Sequence, residues 1–153
     1  MKIHVLMAGK HDSVCTENSV KEYEKRIKHY IPFCLDIIPA SKEQNILQYK
    51  EKEGIRMLSK LNKSDFLILL DERGDEYTSV QMAGYIQKLQ NQNKANIFFV
   101  IGGAHGFSEE VYQRADARIS LSKLTFPHQL ARVIFMEQLY RVFTILKGEK
   151  YHH

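Results

Sequence analysis

Two uninterrupted apolar runs, residues 66–70 (FLILL) and 97–101 (IFFVI), restrict what this chain can become more than any other feature. A strand with one wet face alternates apolar and polar residues. A strand buried on both faces does not, and such strands belong to parallel sheets covered by helices on each side. Residues 2–7, 33–38 and, more weakly, 118–121 also read as strands. Helix-like stretches lie between them: 19–30 with mixed charge, 44–61 with Lys50, Glu51, Lys52 and Glu53 on its solvated side, and 79–90 behind a Thr78/Ser79 cap. The β-α-β-α order predicts an α/β fold, a parallel-type sheet flanked by helices. Pro32, Pro39 and Pro127 all fall at element boundaries, where a missing N–H costs least.

Length allows one domain over residues 1–153, and 44% hydrophobic with 26% charged residues is the balance of a soluble domain that folds unaided. No run approaches the roughly 18 apolar residues of a membrane helix, and the opening MKIHVLMAGK has no cleavage-like site, so neither a spanning nor a secreted protein is expected. Cys15 and Cys34 lack metal-knuckle spacing, which points away from a zinc site or disulfide scaffold and toward a cytoplasmic protein without metal. The net charge of +4 favours acidic partners such as RNA only weakly.

The last helix breaks the amphipathic pattern. From residue 128 to 146 apolar side chains go nearly all the way round the axis. One face can pack on the sheet. The other needs a cover, and a second copy of the chain is the simplest supplier, so a homodimer is predicted; a wrap by 79–90 or another internal element is the competing explanation.

Phosphate-cradling glycines normally follow the first strand of a nucleotide-binding fold. Here only Gly9 does, and neither GxGxxG nor GxxxxGK[ST] is present. The glycines instead follow the fourth strand, as Gly102, Gly103 and Gly106 in IGGAHGFSEE, ahead of a helix that Ser108 is placed to cap. Downstream a strand runs into a polar loop, 120–125, and then Phe126 and Pro127 open the terminal helix. LDERG, residues 70–74, reads as another strand ending in a loop. Three such loops at the carboxyl ends of three parallel strands would line one crevice, where ligands of open α/β sheets bind.

With LLDERG, FVIGGAHGFSEEV, the opening KIHVLMAGK and ISLSKLTFPHQLARVIFMEQLYRVFTILKGEKYHH, the chain resembles the RlmH family, small SPOUT-class methyltransferases of bacterial ribosomal RNA. The likeness runs end to end and is densest over residues 97–152. It implies a SPOUT-like α/β fold whose C-terminal segment forms a trefoil knot. It also implies S-adenosylmethionine held in a bent form by backbone groups of Leu70, Gly102, Gly103, Leu121, Ser122, Lys123, Leu124, Thr125 and Phe126. The implied reaction methylates N3 of a pseudouridine in 23S ribosomal RNA on the assembled ribosome.

His128 and Arg132 stand four apart at the start of the terminal helix and share one face. His128 is suited to move a proton near neutral pH, and Arg132 to hold a phosphate or developing negative charge. Their structural alternatives are a helix-start residue fixing the FPHQ turn and an ion pair with Glu137. The tail GEKYHH resembles the family's Tyr-His ending, which makes Tyr151 and His152 candidate target-base contacts on a tail free to order against RNA; His153 stands where the family usually has Lys or Arg. His105 reads as a loop residue, and no spacing supports a metal cluster. The rival functions are a ribosome-associated RNA-binding module of the same fold without catalysis and, less well supported, an α/β enzyme acting on a small nucleotide.

Overall fold

The computed structural model describes residues 1–152. Five strands, β1 (Lys2–Ala8), β2 (Phe33–Ile38), β3 (Phe66–Glu76), β4 (Asn96–Ile101) and β5 (Ala117–Ser120), form one sheet in the order β2-β1-β4-β3-β5. Every pairing is parallel. Five helices alternate with them: α1 (Val14–Ile27), α2 (Ile46–Leu58), α3 (Ser79–Asn91), α4 (Glu109–Arg114) and α5 (His128–Leu146).

The unbroken apolar runs are explained by the layers they separate. In β4, Ile97, Phe99 and Ile101 point into a core shared with α1, α3 and α5, while Phe98 and Val100 point into a second core with α2 and α4. Both faces of β4 are dry, because β1 and β3 flank it and helices cover it above and below. No described helix is long and apolar enough to cross a membrane.

Local chemistry fixes the helix starts. Thr78 and Gln81 form a reciprocal capping box at α3, and Ser13 accepts from the Thr16 N–H, so α1 begins at residue 14 rather than at the expected 19. Ser108 occupies the cap position of α4 without capping it: its side chain packs against Gly54 of α2.

Three expectations need correction. LDERG is not a loop, since β3 continues through Glu76; Leu70 and Asp75 both pair with Ile119 of β5, so residues 71–74 form a bulge within the strand. Glu53 is not on a solvated face. It is 1% exposed, on the same inward stripe as Met57. Finally, most of the all-round apolar surface of α5 is covered within the chain, because α1 and α3 pack along it and bury Phe135, Met136, Leu139, Val142 and Phe143. Leu130, half exposed, and the half-buried Val133 and Ile134 remain on its outer side.

Candidate active site

β4, β3 and β5 are neighbours in the sheet, so the segments leaving their carboxyl ends are neighbours too. They enclose a cleft of about 390 Å³. Leu70, Gly102, Gly103, Leu121, Ser122, Leu124, Thr125 and Phe126 line it, joined by His128 from α5; of the nine loop residues singled out from the sequence, Lys123 alone does not reach the lining.

The loop after β4 is held by tight packing. A Cβ on Gly102 would lie 3.0 Å from the Phe107 ring, and one on Gly103 would lie 3.2 Å from both Glu53 and the Tyr49 hydroxyl. Gly106 has φ +73°, a backbone conformation side chains resist. The Gly103 N–H donates to Glu53 Oε2 at 3.4 Å, the Leu124 N–H to Ser122 Oγ at 3.0 Å, and Ser120 Oγ to the Ser122 carbonyl at 2.9 Å. Among the described residues, the backbone N–H groups of Gly102, Leu121, Thr125 and Phe126 have no partner in the chain, which leaves main-chain donors available to a ligand. Glu53 is a buried carboxylate whose second oxygen is unpartnered; burial pushes its pKa up, against the Gly103 N–H and Tyr49 hydroxyl.

His128 is half-buried on the rim. The Gln129 amide nitrogen lies 3.1 Å from its Nε2. Burial, and then the nearby Arg132 charge, lower its pKa below the usual 6.5, so the ring is neutral at pH 7 and able to take a proton.

Arg132 shares that face of α5 and is buried behind it. It is 0% exposed, and its guanidinium donates to the carbonyls of Ala8, at the end of β1, and of Lys10 at 3.2 Å. Among the described residues it is not paired with Glu137, which bonds Arg141 instead. Burial also lowers its pKa, opposed by the charges of Asp12 and Glu53. Arg132 is therefore placed to fix the turn after β1 beneath His128, with its Nε the one buried group left unpartnered on that side chain.

Tyr151 and His152 lie elsewhere. Glu137 ties the tail to α5: the Tyr151 hydroxyl donates to Glu137 Oε1 at 3.1 Å, and Arg141 Nε donates to the same oxygen at 3.0 Å. The Tyr151 ring packs edge-on against Tyr140 at 4.8 Å, beneath the Arg141 guanidinium at 4.8 Å. Burial and the Glu137 carboxylate push its pKa up to about 12. The tail through His152 is thus docked rather than loose, with His152 Nδ1 buried and unpartnered, while His153 lies outside the described residues. Tyr151 folds back onto the stretch of α5 from Glu137 to Arg141, about 14–20 Å along the helix from His128 at 1.5 Å per residue, so His128 and Tyr151 of one chain do not meet.

Sequence reasoning missed Asp71, Arg73 and Tyr112. All three line the cleft, and the Tyr112 hydroxyl donates to Asp71 while accepting from Arg73 Nη2 at 3.0 Å. Hydrogen bonds from Tyr112 and the Arg73 N–H outweigh burial and hold Asp71 below the usual carboxylate range. Glu53 was also missed, although the Glu53-Gly54-Met57 stripe carried a signal: a glycine and an apolar residue on the same helical face mark the side that packs closely. Among the described residues, no three His, Cys, Asp or Glu side chains converge on a metal-sized site.

Comparison with known proteins gives a concordant result. The model of a predicted SPOUT methyltransferase family matches residues 1–152. Proteins called ribosomal RNA large subunit methyltransferase H are similar over all of this chain and 99% of their own: that of Christiangramia forsetii at 51% identity and those of Parabacteroides distasonis and Flavobacterium johnsoniae at 47%. A solved Legionella pneumophila chain described as a methyltransferase with bound SAM covers 91% of this chain and 65% of its own, at 12% identity and a TM-score of 0.47, too distant to carry a functional argument. On the full-length family match and these identities, the chain belongs to the SPOUT methyltransferases, among the relatives of ribosomal RNA large subunit methyltransferase H.

Proposed function

We propose that this protein transfers a methyl group from S-adenosylmethionine to N3 of a pseudouridine in 23S ribosomal RNA, acting in the cytoplasm on the assembled ribosome. The observation that carries the reading is the cleft at the carboxyl ends of β3, β4 and β5, where eight of the nine expected loop residues and His128 come together. The residues there fit the cofactor: unpartnered main-chain N–H groups suit the polar edge of an adenine, and Leu70, Ile101, Leu121 and Phe126 supply apolar walls. When bound, S-adenosylmethionine supplies an electrophilic methyl group on a sulfonium, so the protein has to orient the acceptor and favour loss of its proton.

His128 is assigned the proton at N3, for which a neutral imidazole on the rim is the right species. Arg132 is assigned a positioning role, holding the turn after β1 and lowering the imidazole's pKa from behind. Tyr151 and His152 remain assigned to the target base, and in their own chain Tyr151 is held on Glu137 and Arg141, outside the cleft lining. A homodimer pairing α5 antiparallel through Leu130 and its half-buried neighbours would bring one copy's tail to the other's cleft. In this reading the knot threads the C-terminal segment past the loop 121–127.

The test is methyl incorporation from labelled S-adenosylmethionine into intact ribosomes lacking the modification, with the product nucleotide mapped. Incorporation at a pseudouridine N3 is expected. Cofactor binding without any incorporation would instead favour an RNA-binding module that has lost catalysis. Mixed dimers of His128→Ala and Tyr151→Ala chains test the shared site: they should recover part of the activity that each variant alone lacks, and no recovery would refute the tail assignment.

A further inference from the structure

A second cleft, of about 610 Å³, adjoins the one just described, and Lys50, Arg73, Phe107 and Tyr112 line both. Its distinctive feature is a pair of guanidiniums around one phenol: Arg73 lies 5.5 Å and Arg118 5.7 Å from the Tyr112 ring centroid. Backbone construction brings them together. Residues 71–74 bulge from β3 against β5, and the bulge lies so close to β5 that a Cβ on Gly74 would sit 2.5 Å from the Ile119 nitrogen and 2.6 Å from the Arg118 carbonyl carbon. Only glycine permits that approach.

The two charges are unequally compensated. Arg73 is 68% exposed and lies 3.5 Å from Asp71, whose other oxygen is occupied by Tyr112. Arg118 is exposed and, among the described residues, has no hydrogen-bonding or ionic partner. Each guanidinium gains from the ring, while the two like charges repel one another, and an anion reaching both would offset that repulsion. Glu51, Glu109 and Glu110, from α2 and α4, line the rest of the cleft, so it is not a uniformly basic track and suits a single phosphate rather than a length of polyanion.

We infer that Arg73 and Arg118, braced by Tyr112, grip a backbone phosphate of the RNA next to the nucleotide that enters the methyl-donor cleft. This rests on the RNA reading above and adds to it a docking point on the chain that also supplies the cofactor site. A planar guanidinium pair matches phosphate oxygens, and a contact at the edge of the cleft fixes the register of the strand without reading its sequence.

The experiment compares wild type, Arg118→Ala, Arg73→Ala and the double variant for S-adenosylmethionine affinity, ribosome affinity against salt, and kcat and KM for methylation. Arg118→Ala, whose side chain lies outside the methyl-donor cleft, is expected to keep cofactor affinity and kcat at saturating ribosomes within a few fold of wild type, and the double variant to raise KM about tenfold or more. The slope of log affinity against log salt should fall by about one for each phosphate no longer gripped. Wild-type KM and salt slope in the double variant would overturn the inference. Arg118→Ala carries the test alone if the double variant misfolds, since among the described residues the Arg118 side chain makes no hydrogen bond or ion pair. If wild type methylates nothing, the proposed reaction fails, and ribosome binding by wild type against Arg118→Ala still decides this site. Equal loss of affinity for an unrelated acidic protein would assign the pair to protein contact and refute the phosphate site.

Discussion

Among the described residues, at the N-terminal end of α5 the cleft is lined by main-chain N–H groups without partners, and the His128 ring is met by the neighbouring Gln129 amide. At the C-terminal end the tail is wired in: Tyr151 to Glu137, Glu137 to Arg141, and Glu149 to the Tyr30 hydroxyl at 2.7 Å. One helix thus joins a region that keeps its hydrogen-bonding capacity open to a region that fills it. Stability and binding capacity draw on the same polar groups, so the end that is less satisfied is the better candidate for chemistry.

Substitutions at the two ends should separate along that line. The largest effect is expected at His128. His128→Ala should lower methyl transfer by about 10²–10⁴-fold, the usual contribution of a general base, with cofactor affinity within a few fold of wild type. Turnover near wild type would remove His128 from the mechanism. Arg132→Ala, one turn along the same face, should act on folding first. It strands the Ala8 and Lys10 carbonyls and empties a fully buried site, at a cost of about 3–4 kcal/mol in denaturant melts. A loss below about 1 kcal/mol would show that this guanidinium does not hold the turn after β1.

Smaller effects sharpen the contrast. Gly106→Ala forces a side chain into φ +73° and should cost about 1–2 kcal/mol, with a larger relative drop in cofactor binding than in stability if the loop is a binding element. Tyr151→Phe removes one partly buried hydroxyl and should cost about 1 kcal/mol or less. A cost several times that size would mean that the tail stabilises the fold as much as the core does.

Acidification tests the half-buried histidines. Burial lowers the folded-state pKa of His4, His11 and His128, and Arg132 adds to the effect at the last two. Below about pH 6.5 the unfolded chain binds more protons at these sites than the folded one. Their contribution to stability is therefore complete above that pH and is lost as pH falls through the lower folded-state values. His128→Gln should flatten part of the slope, and an unchanged slope would place the proton uptake at the other two rings.

The strands were legible because burial on both faces writes itself as FLILL and IFFVI, and the Thr78 capping box because its chemistry is local. The glycine loop after β4 was legible from Gly102, Gly103 and Gly106 standing where a nucleotide fold has none. Glu53 was not, because in a run of alternating charges nothing local distinguishes the one carboxylate that turns inward. Nor was the end of β3. Residues 71–74 carry turn chemistry, and only pairing with β5 draws them into a strand as a bulge. The burial of Arg132 was not legible either, because spacing reports a shared face and is silent about how deep that face lies.

The sequence by itself determined the alternation of strands and helices, the parallel sheet buried on both faces, the loops of greatest interest and, through resemblance, the family. Those properties follow from short-range periodicity and residue type. Only the tertiary structure decided that Arg132 is bound to carbonyls at and just beyond the first strand, that Tyr151 is docked on the middle of α5 and not at His128, and that Arg73 and Arg118 share one ring. Each of these depends on residues tens of positions apart along the chain, and their distance in space is set by the packing of the whole sheet and its helices, which no local pattern encodes.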